Sequence, residues 1–162
     1  MNYHPLTQQI IELLTKNNFW FETFKHAPVT TSEEAAKLRH GYTIDQGAKA
    51  LIVRIKKINN EKSFAMLVLP GSKKFNIDKV KHFFNAKDIR FVTLEELSQI
   101  TNGVERGGVP PFGNLFNVKV YADKTLFNNE KIIFNAGDRG FSVAIKAVDY
   151  TKLVNPEIIE IV

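Results

Sequence analysis

Apolar residues recur at Leu6, Ile10, Ile11, Leu13 and Leu14 after Pro5, the spacing of one helix face, and Asn17-Asn18 ends the pattern. From Phe19 to Lys25 the alternation shortens to two, which predicts a half-buried strand ended by His26-Ala-Pro28. Thr31-Ser-Glu-Glu34 has the form of a capping box; Ala35, Ala36 and Leu38 continue the helix it opens, and Gly41 stops it. Two strands follow, Gly47 to Lys57 and Ser63 to Leu69, joined at Asn59-Asn60 as a hairpin. Asn76 then caps a helix whose apolar face is Ile77, Val80, Phe83 and Phe84. A short strand surrounds Phe91, and the capping box Thr93-Leu-Glu-Glu96 opens a helix that stops at Asn102-Gly103. Strands at Leu115 to Ala122, Ile132 to Asn135 and Phe141 to Lys146, with a helical turn or two at Val148 to Val154, complete the chain. Helices and strands alternate in the first half and strands dominate the second. The expected fold is therefore α+β: one domain over residues 1–162, a mixed β-sheet surrounded by helices, and one core.

Composition narrows the chemistry. Without cysteine there is no disulfide, no thiolate metal site and no cysteine nucleophile. The four histidines, His4, His26, His40 and His82, lack metal-ligand spacing, and no P-loop, dinucleotide fingerprint or nucleophile elbow occurs, so neither a metal nor a cofactor is expected. No apolar run reaches the length of a membrane span, and Met1 to Gln9 lacks the form of a signal peptide; the expectation is a cytoplasmic protein with no membrane partner. Charge is unevenly spread. Residues 49–90 hold 11 Lys or Arg against 3 acidic residues, a balance of +8, whereas the flanks are slightly acidic. Such a segment is either the footprint of a polyanion or solvated surface; Lys56, Lys57, Lys73, Lys74, Lys79, Lys81 and Lys87 cluster in sequence around two turns and could share one face, with Lys56, Lys57, Lys73 and Lys74 the candidate polyanion contacts.

Two stretches are candidates for a site. Val104-Glu-Arg-Gly-Gly-Val-Pro-Pro-Phe-Gly113 is too rich in glycine and proline for helix or central strand. It is either a stiff loop that presents bare backbone to a small ligand or a tight connection. Lys49 falls on the same side of its strand as Leu51 and Val53, opposite Ala48, Ala50 and Ile52. It is either an ammonium at the rim of an apolar pocket or a strand-end lysine that snorkels to water. His26, beside Pro28, is a further candidate lining residue, and Asp138-Arg139 in Asn135-Ala-Gly-Asp-Arg-Gly140 reads as a hairpin turn.

Five stretches in order carry a resemblance: His26-Ala-Pro-Val-Thr-Thr-Ser-Glu-Glu-Ala-Ala36, Gly47-Ala-Lys-Ala-Leu-Ile-Val-Arg54, Leu67-Val-Leu-Pro-Gly71, Gly107-Gly-Val-Pro-Pro-Phe-Gly113 and Phe134-Asn-Ala-Gly137. Over about residues 20–153 the chain resembles the YbaK / prolyl-tRNA synthetase-associated domain family, and specifically its free-standing members. The resemblance implies a trans-editing aminoacyl-tRNA deacylase that hydrolyses the ester of alanine or another small residue mischarged on tRNA, most simply tRNA for proline, with a synthetase as a possible partner. It makes Lys49 the active-site lysine and matches Gly107 and Pro111 to a Gly-x-x-x-Pro loop. Gly108, Val109 and Pro110 lie within that loop, and Asn135 and Gly137 belong to a stretch that closes the pocket. The histidine that some subfamilies carry nearby has no counterpart in Asp138 to Val143. The alternatives are a non-catalytic tRNA- or nucleotide-binding module and a synthetase-docking domain.

Overall fold

A computed structural model describes residues 2–162. The elements in chain order are α1 (Pro5–Lys16), β1 (Phe21–Lys25), α2 (Ser32–Leu38), β2 (Ala48–Lys57), β3 (Lys62–Pro70), α3 (Ile77–Phe84) and β4 (Ala86–Phe91). They continue with α4 (Leu94–Thr101), β5 (Val120–Asp123), β6 (Lys131–Asp138), β7 (Phe141–Lys146), α5 (Ala147–Val154) and β8 (Glu157–Ile159). The mixed sheet is five-stranded, in the order β4-β2-β3-β5-β8, and a second, antiparallel sheet has the order β1-β7-β6. β3 and β5 pair in parallel, as do β5 and β8, whereas β2 pairs antiparallel with both β3 and β4. An isolated parallel bridge between Gly47 and Ile133 ties the start of β2 to β6 of the second sheet.

The single core expected from the sequence is two clusters, because the five-stranded sheet buries both faces. Ala48, Ile52, Met66, Val68, Val120 and Ala122 point into the larger one, which the three-stranded sheet, α1, α4 and α5 complete. Val53, Ile55, Ala65, Leu67 and Leu69 point the other way, onto Val80 of α3 and Ile161 near the C-terminus. A strand covered on both faces reads as a continuous apolar run, and Ala-Met-Leu-Val-Leu in β3 is such a run.

Helix ends follow the sequence closely. Thr93 and Glu96 exchange both bonds of the capping box: Glu96 N–H donates to Thr93 Oγ1 at 3.1 Å and Thr93 N–H to Glu96 Oε1 at 2.9 Å. α3, α4 and α5 each stop at an asparagine in the left-handed conformation, Asn85, Asn102 and Asn155. One expected strand needs correction and one was not expected. Leu115 and Phe116 lie in a 3-10 turn, Gly113–Phe116, and only Val120–Asp123 is strand. The chain doubles back so tightly there that a Cβ at Gly113 would overlap the Val118 carbonyl, and Val118 N–H donates to Gly113 O at 2.9 Å. The strand at Glu157–Ile159 was also unforeseen; it is short, and only its pairing with β5 defines it.

Candidate active site

β4 covers β2 only from Val53 to Lys57. At Val92, whose N–H donates to Ile52 O at 3.2 Å, the chain turns away into α4. From Ala48 to Leu51 the β4-side edge of β2 is thereby left open within the five-stranded sheet, and a cavity of about 300 Å³ occupies the space. Its floor is Ala48, Ala50 and Ile52; Val92, Leu94 and Leu97 form one wall, Thr30 to Ser32, Ala35 and Arg39 of the α2 region another, and Arg106, Gly107, Val109 and Asn135 a third. The two alanine methyls leave the floor low, and larger side chains there would fill the cavity.

Lys49 lies at the cavity, half-buried; its backbone pairs with Leu69 of β3, and among the described residues its ammonium makes neither a hydrogen bond nor an ion pair. Both faces of β2 are packed, so its side chain is not in the larger core but at the strand's entry, beside the smaller cluster. Burial holds its ammonium below the usual lysine range; Glu33 of α2 opposes that shift and Lys74 adds to it. A desolvated lysine without a carboxylate partner is electrostatically unfinished, and an anion at the cavity would complete it.

The glycine-proline loop is anchored at one end and bare at the other. Phe112 is fully buried against Phe134 and Tyr150, and Tyr150 Oη donates to Pro111 O at 2.6 Å. Pro110 and Pro111 are buried, Gly108 packs against the Asp138 backbone, and none of these three lines the cavity. Gly107 and Val109 do line it, and Gly107 has φ +89, a left-handed conformation that side chains disfavour.

Asn135 fixes that loop. Its Nδ2 donates to Gly107 O at 2.7 Å, while its Oδ1 accepts from Arg39 Nη2 at 2.7 Å and from Ser142 Oγ at 3.0 Å. Arg39 Nε donates to Ser142 Oγ at 2.9 Å, and His26 Nε2 lies 2.7 Å from the same oxygen. Neither His26 nor Ser142 lines the cavity; His26 touches Ser142, which in turn holds the lining residues Arg39 and Asn135. Gly137 lies outside the cavity: with φ +92 it forms part of the bulge in β6 against Leu6 and Thr7 of α1.

Of the seven lysines expected to share a face, Lys73 and Lys74 follow β3 at the cavity end of the hairpin, where Pro70 pairs with Ala48. Lys56 and Lys57 close β2 at its other end, about 23 Å from Lys49 along the strand. The basic segment is therefore not one patch, and Arg54 and Arg90 are engaged by Asp88 and Glu96 at 2.8 Å each.

Sequence reasoning missed Arg39 and Arg106, two further cations of the cavity. Arg106 stood within the quoted loop, and its exposure beside Gly107 was readable. Nothing local marks Arg39, which follows an amphipathic helix like any solvent-facing arginine. Its burial comes from β6 and β7, about a hundred residues later.

The comparisons agree with this architecture. The model of the aminoacyl-tRNA editing domain family matches residues 26–153. The Multifunctional Ser/Thr-tRNA deacylase ProXp-y of Escherichia coli K12 is 28% identical over 153 residues, 94% of this chain and 90% of its own length. A proline--tRNA ligase of Sulfurihydrogenibium is 31% identical over 57% of this chain, which corresponds to only 15% of the ligase. A solved structure named as a candidate trans-editing enzyme for prolyl tRNA synthetase superposes with a TM-score of 0.80 at 18% identity, covering 99% of this chain and 98% of its own. With most of the chain matched by the family model and a deacylase aligned over at least nine-tenths of both chains, the protein belongs to the aminoacyl-tRNA editing domain family, as an enzyme of the deacylase class.

Proposed function

We propose that the chain hydrolyses the ester between a small amino acid and the 3′-terminal adenosine of a mischarged tRNA, with alanine, serine and threonine as the candidate amino acids and tRNA for proline as the candidate carrier. The observation that carries the proposal is the cavity at the open edge of β2, small and alanine-floored yet flanked by Lys49, Arg39 and Arg106, with no carboxylate in its lining. An aminoacyl ester is already activated, so the enzyme needs chiefly to hold it, admit water and stabilise negative charge on the carbonyl oxygen. Lys49 would anchor the terminal phosphate or the ester region at the mouth, while Gly107 and Val109 orient the aminoacyl group. Pro111 and Gly108 brace the loop from behind; Asn135 holds it from the side, and His26 supports Asn135 through Ser142. Water adds to the carbonyl carbon, the bond to the ribose oxygen breaks, and that oxygen takes a proton.

Size is the natural filter. An apolar floor rejects larger side chains but separates near-isosteres poorly, and the hydroxyls of Thr30, Thr31 and Ser32 give the walls polar partners for a serine or threonine side chain. The E. coli relative named for Ser/Thr-tRNA supports including those two. The test is loss of ester from tRNA charged separately with Ala, Ser, Thr, Cys and Pro. Rapid loss of one or more small residues with prolyl-tRNA spared is expected. Equal hydrolysis of prolyl-tRNA, or binding without turnover, would replace editing by general hydrolysis or by a tRNA-binding module.

A further inference from the structure

Arg39 is the only charged residue of the cavity lining that is more than nine-tenths buried, at 6% exposed, and among the described residues no carboxylate pairs with it. Its Nε and Nη2 donate to a hydroxyl and an amide oxygen, neutral groups that satisfy two donors without cancelling the charge. Nη1 has no protein acceptor and lies beside Gly47, where a Cβ would come within 3.6 Å of it, and Gly47 lines the same cavity as Arg39. Burial pulls the guanidinium down to about 10, which leaves it charged at neutral pH. A buried cation of this kind is costly to maintain, and it is compensated only when negative charge arrives in front of it.

Which negative charge follows from position and hydration. The phosphates of a nucleic acid are strongly hydrated and are met by exposed or half-exposed cations, here Lys49, Lys74 and Arg106. The aminoacyl ester is neutral as it enters and becomes anionic only after attack. A desolvated cation favours the second situation, since it strengthens an interaction that exists in the transition state and not before.

We propose that Arg39, through Nη1, donates to the carbonyl oxygen of the aminoacyl ester and stabilises the oxyanion formed when water adds; this rests on the deacylase reading above. The water oxygen bonds to the carbonyl carbon and the π pair moves onto the oxygen facing Nη1. Collapse restores the C=O bond and expels the ribose oxygen, which takes the proton lost by the water. Arg39 keeps its protons throughout. Asn135 and Ser142 act as positioning residues that fix the plane of the guanidinium.

The experiment compares Arg39→Gln, Arg39→Lys and Asn135→Ala with wild type on the amino acid that the panel selects. It measures single-turnover rate, KM and thermal unfolding, and the Kd of two adenosine analogues, one with an amide and one with a tetrahedral phosphonate in place of the ester. Arg39→Gln is expected to slow hydrolysis on the order of 100-fold, to weaken the phosphonate by a comparable factor and to leave KM and amide binding within about twofold. Arg39→Lys keeps a charge without the planar fork and recovers part of both losses. Equal losses for the amide and the phosphonate in Arg39→Gln would assign Arg39 to holding the Gly107 loop through Asn135 alone, whereas Asn135→Ala is expected to lose part of the rate and of the phosphonate affinity with Arg39 still present. A wild type inactive on every ester removes the functional reading itself. An active wild type matched by Arg39→Gln removes only this proposal.

Discussion

Lys49 combines three properties that rarely coincide in a surface lysine: half-burial, no protein partner, and a place at a cavity with few acidic neighbours. Removing its amine leaves no buried group unpaired, so Lys49→Ala should fold with an unchanged melting temperature. Deacylation is expected to fall on the order of 100-fold and tRNA affinity only modestly, because one contact among many is lost. Its pH dependence separates two roles. A cationic anchor works while protonated, so enzymatic rate, corrected for spontaneous hydrolysis, is full below its pKa and declines above it, earlier than for an ordinary lysine because burial lowers that pKa. Lys49→Arg should move this falling limb upward. A limb that rises with pH instead would identify the free amine as a base.

At the scale of elements, the glycine-proline loop shows how stiffness is distributed. Phe112 and Pro111 are held in the core by aromatic packing and the Tyr150 hydroxyl, and Asn135 grips Gly107 O from the side. Around Gly107 there is room for a Cβ, with Arg139 Cδ at 3.4 Å, so its constraint is the positive φ and not a lack of space. Gly107→Val should therefore lower activity strongly by twisting the loop, since a β-branched residue is strained there. Gly107→Asn, which tolerates the left-handed region, should retain much more. Rates for the two variants, with circular dichroism to confirm the fold, decide between twist and steric filling; equal losses point to filling.

For the whole molecule, the hairpin of β2 and β3 sets how far a tRNA must reach to touch the basic residues. Lys73 and Lys74 lie at the cavity end and Lys56 and Lys57 at the far end. Lys73→Glu with Lys74→Glu is expected to weaken tRNA binding and to flatten its log-log salt dependence by about two contacts' worth of slope. The same reversal at Lys56 and Lys57 measures whether the tRNA body follows the hairpin. An unchanged slope for the first pair would make those lysines solvated surface.

What the chain specifies by itself is local, because periodicity, capping and turn chemistry act over a few residues. The capping box at Thr93, the hairpin turn at Asn59-Asn60, the left-handed asparagines at helix ends and the alternation that turns Lys49 away from Ala48 and Ala50 are all of this kind. The family motifs were readable too, since ordered short stretches survive without coordinates. Tertiary structure alone decided the rest. The strands divide between two sheets, which depends on which edges meet. β4 releases β2 at Ile52, and the cavity exists only because that edge stays uncovered. Arg39 loses its solvent to β6 and β7, residues about a hundred positions away, and a charge acquires its meaning from what surrounds it. Burial and the absence of a counter-ion are properties of an assembled interior, which no local window of sequence contains.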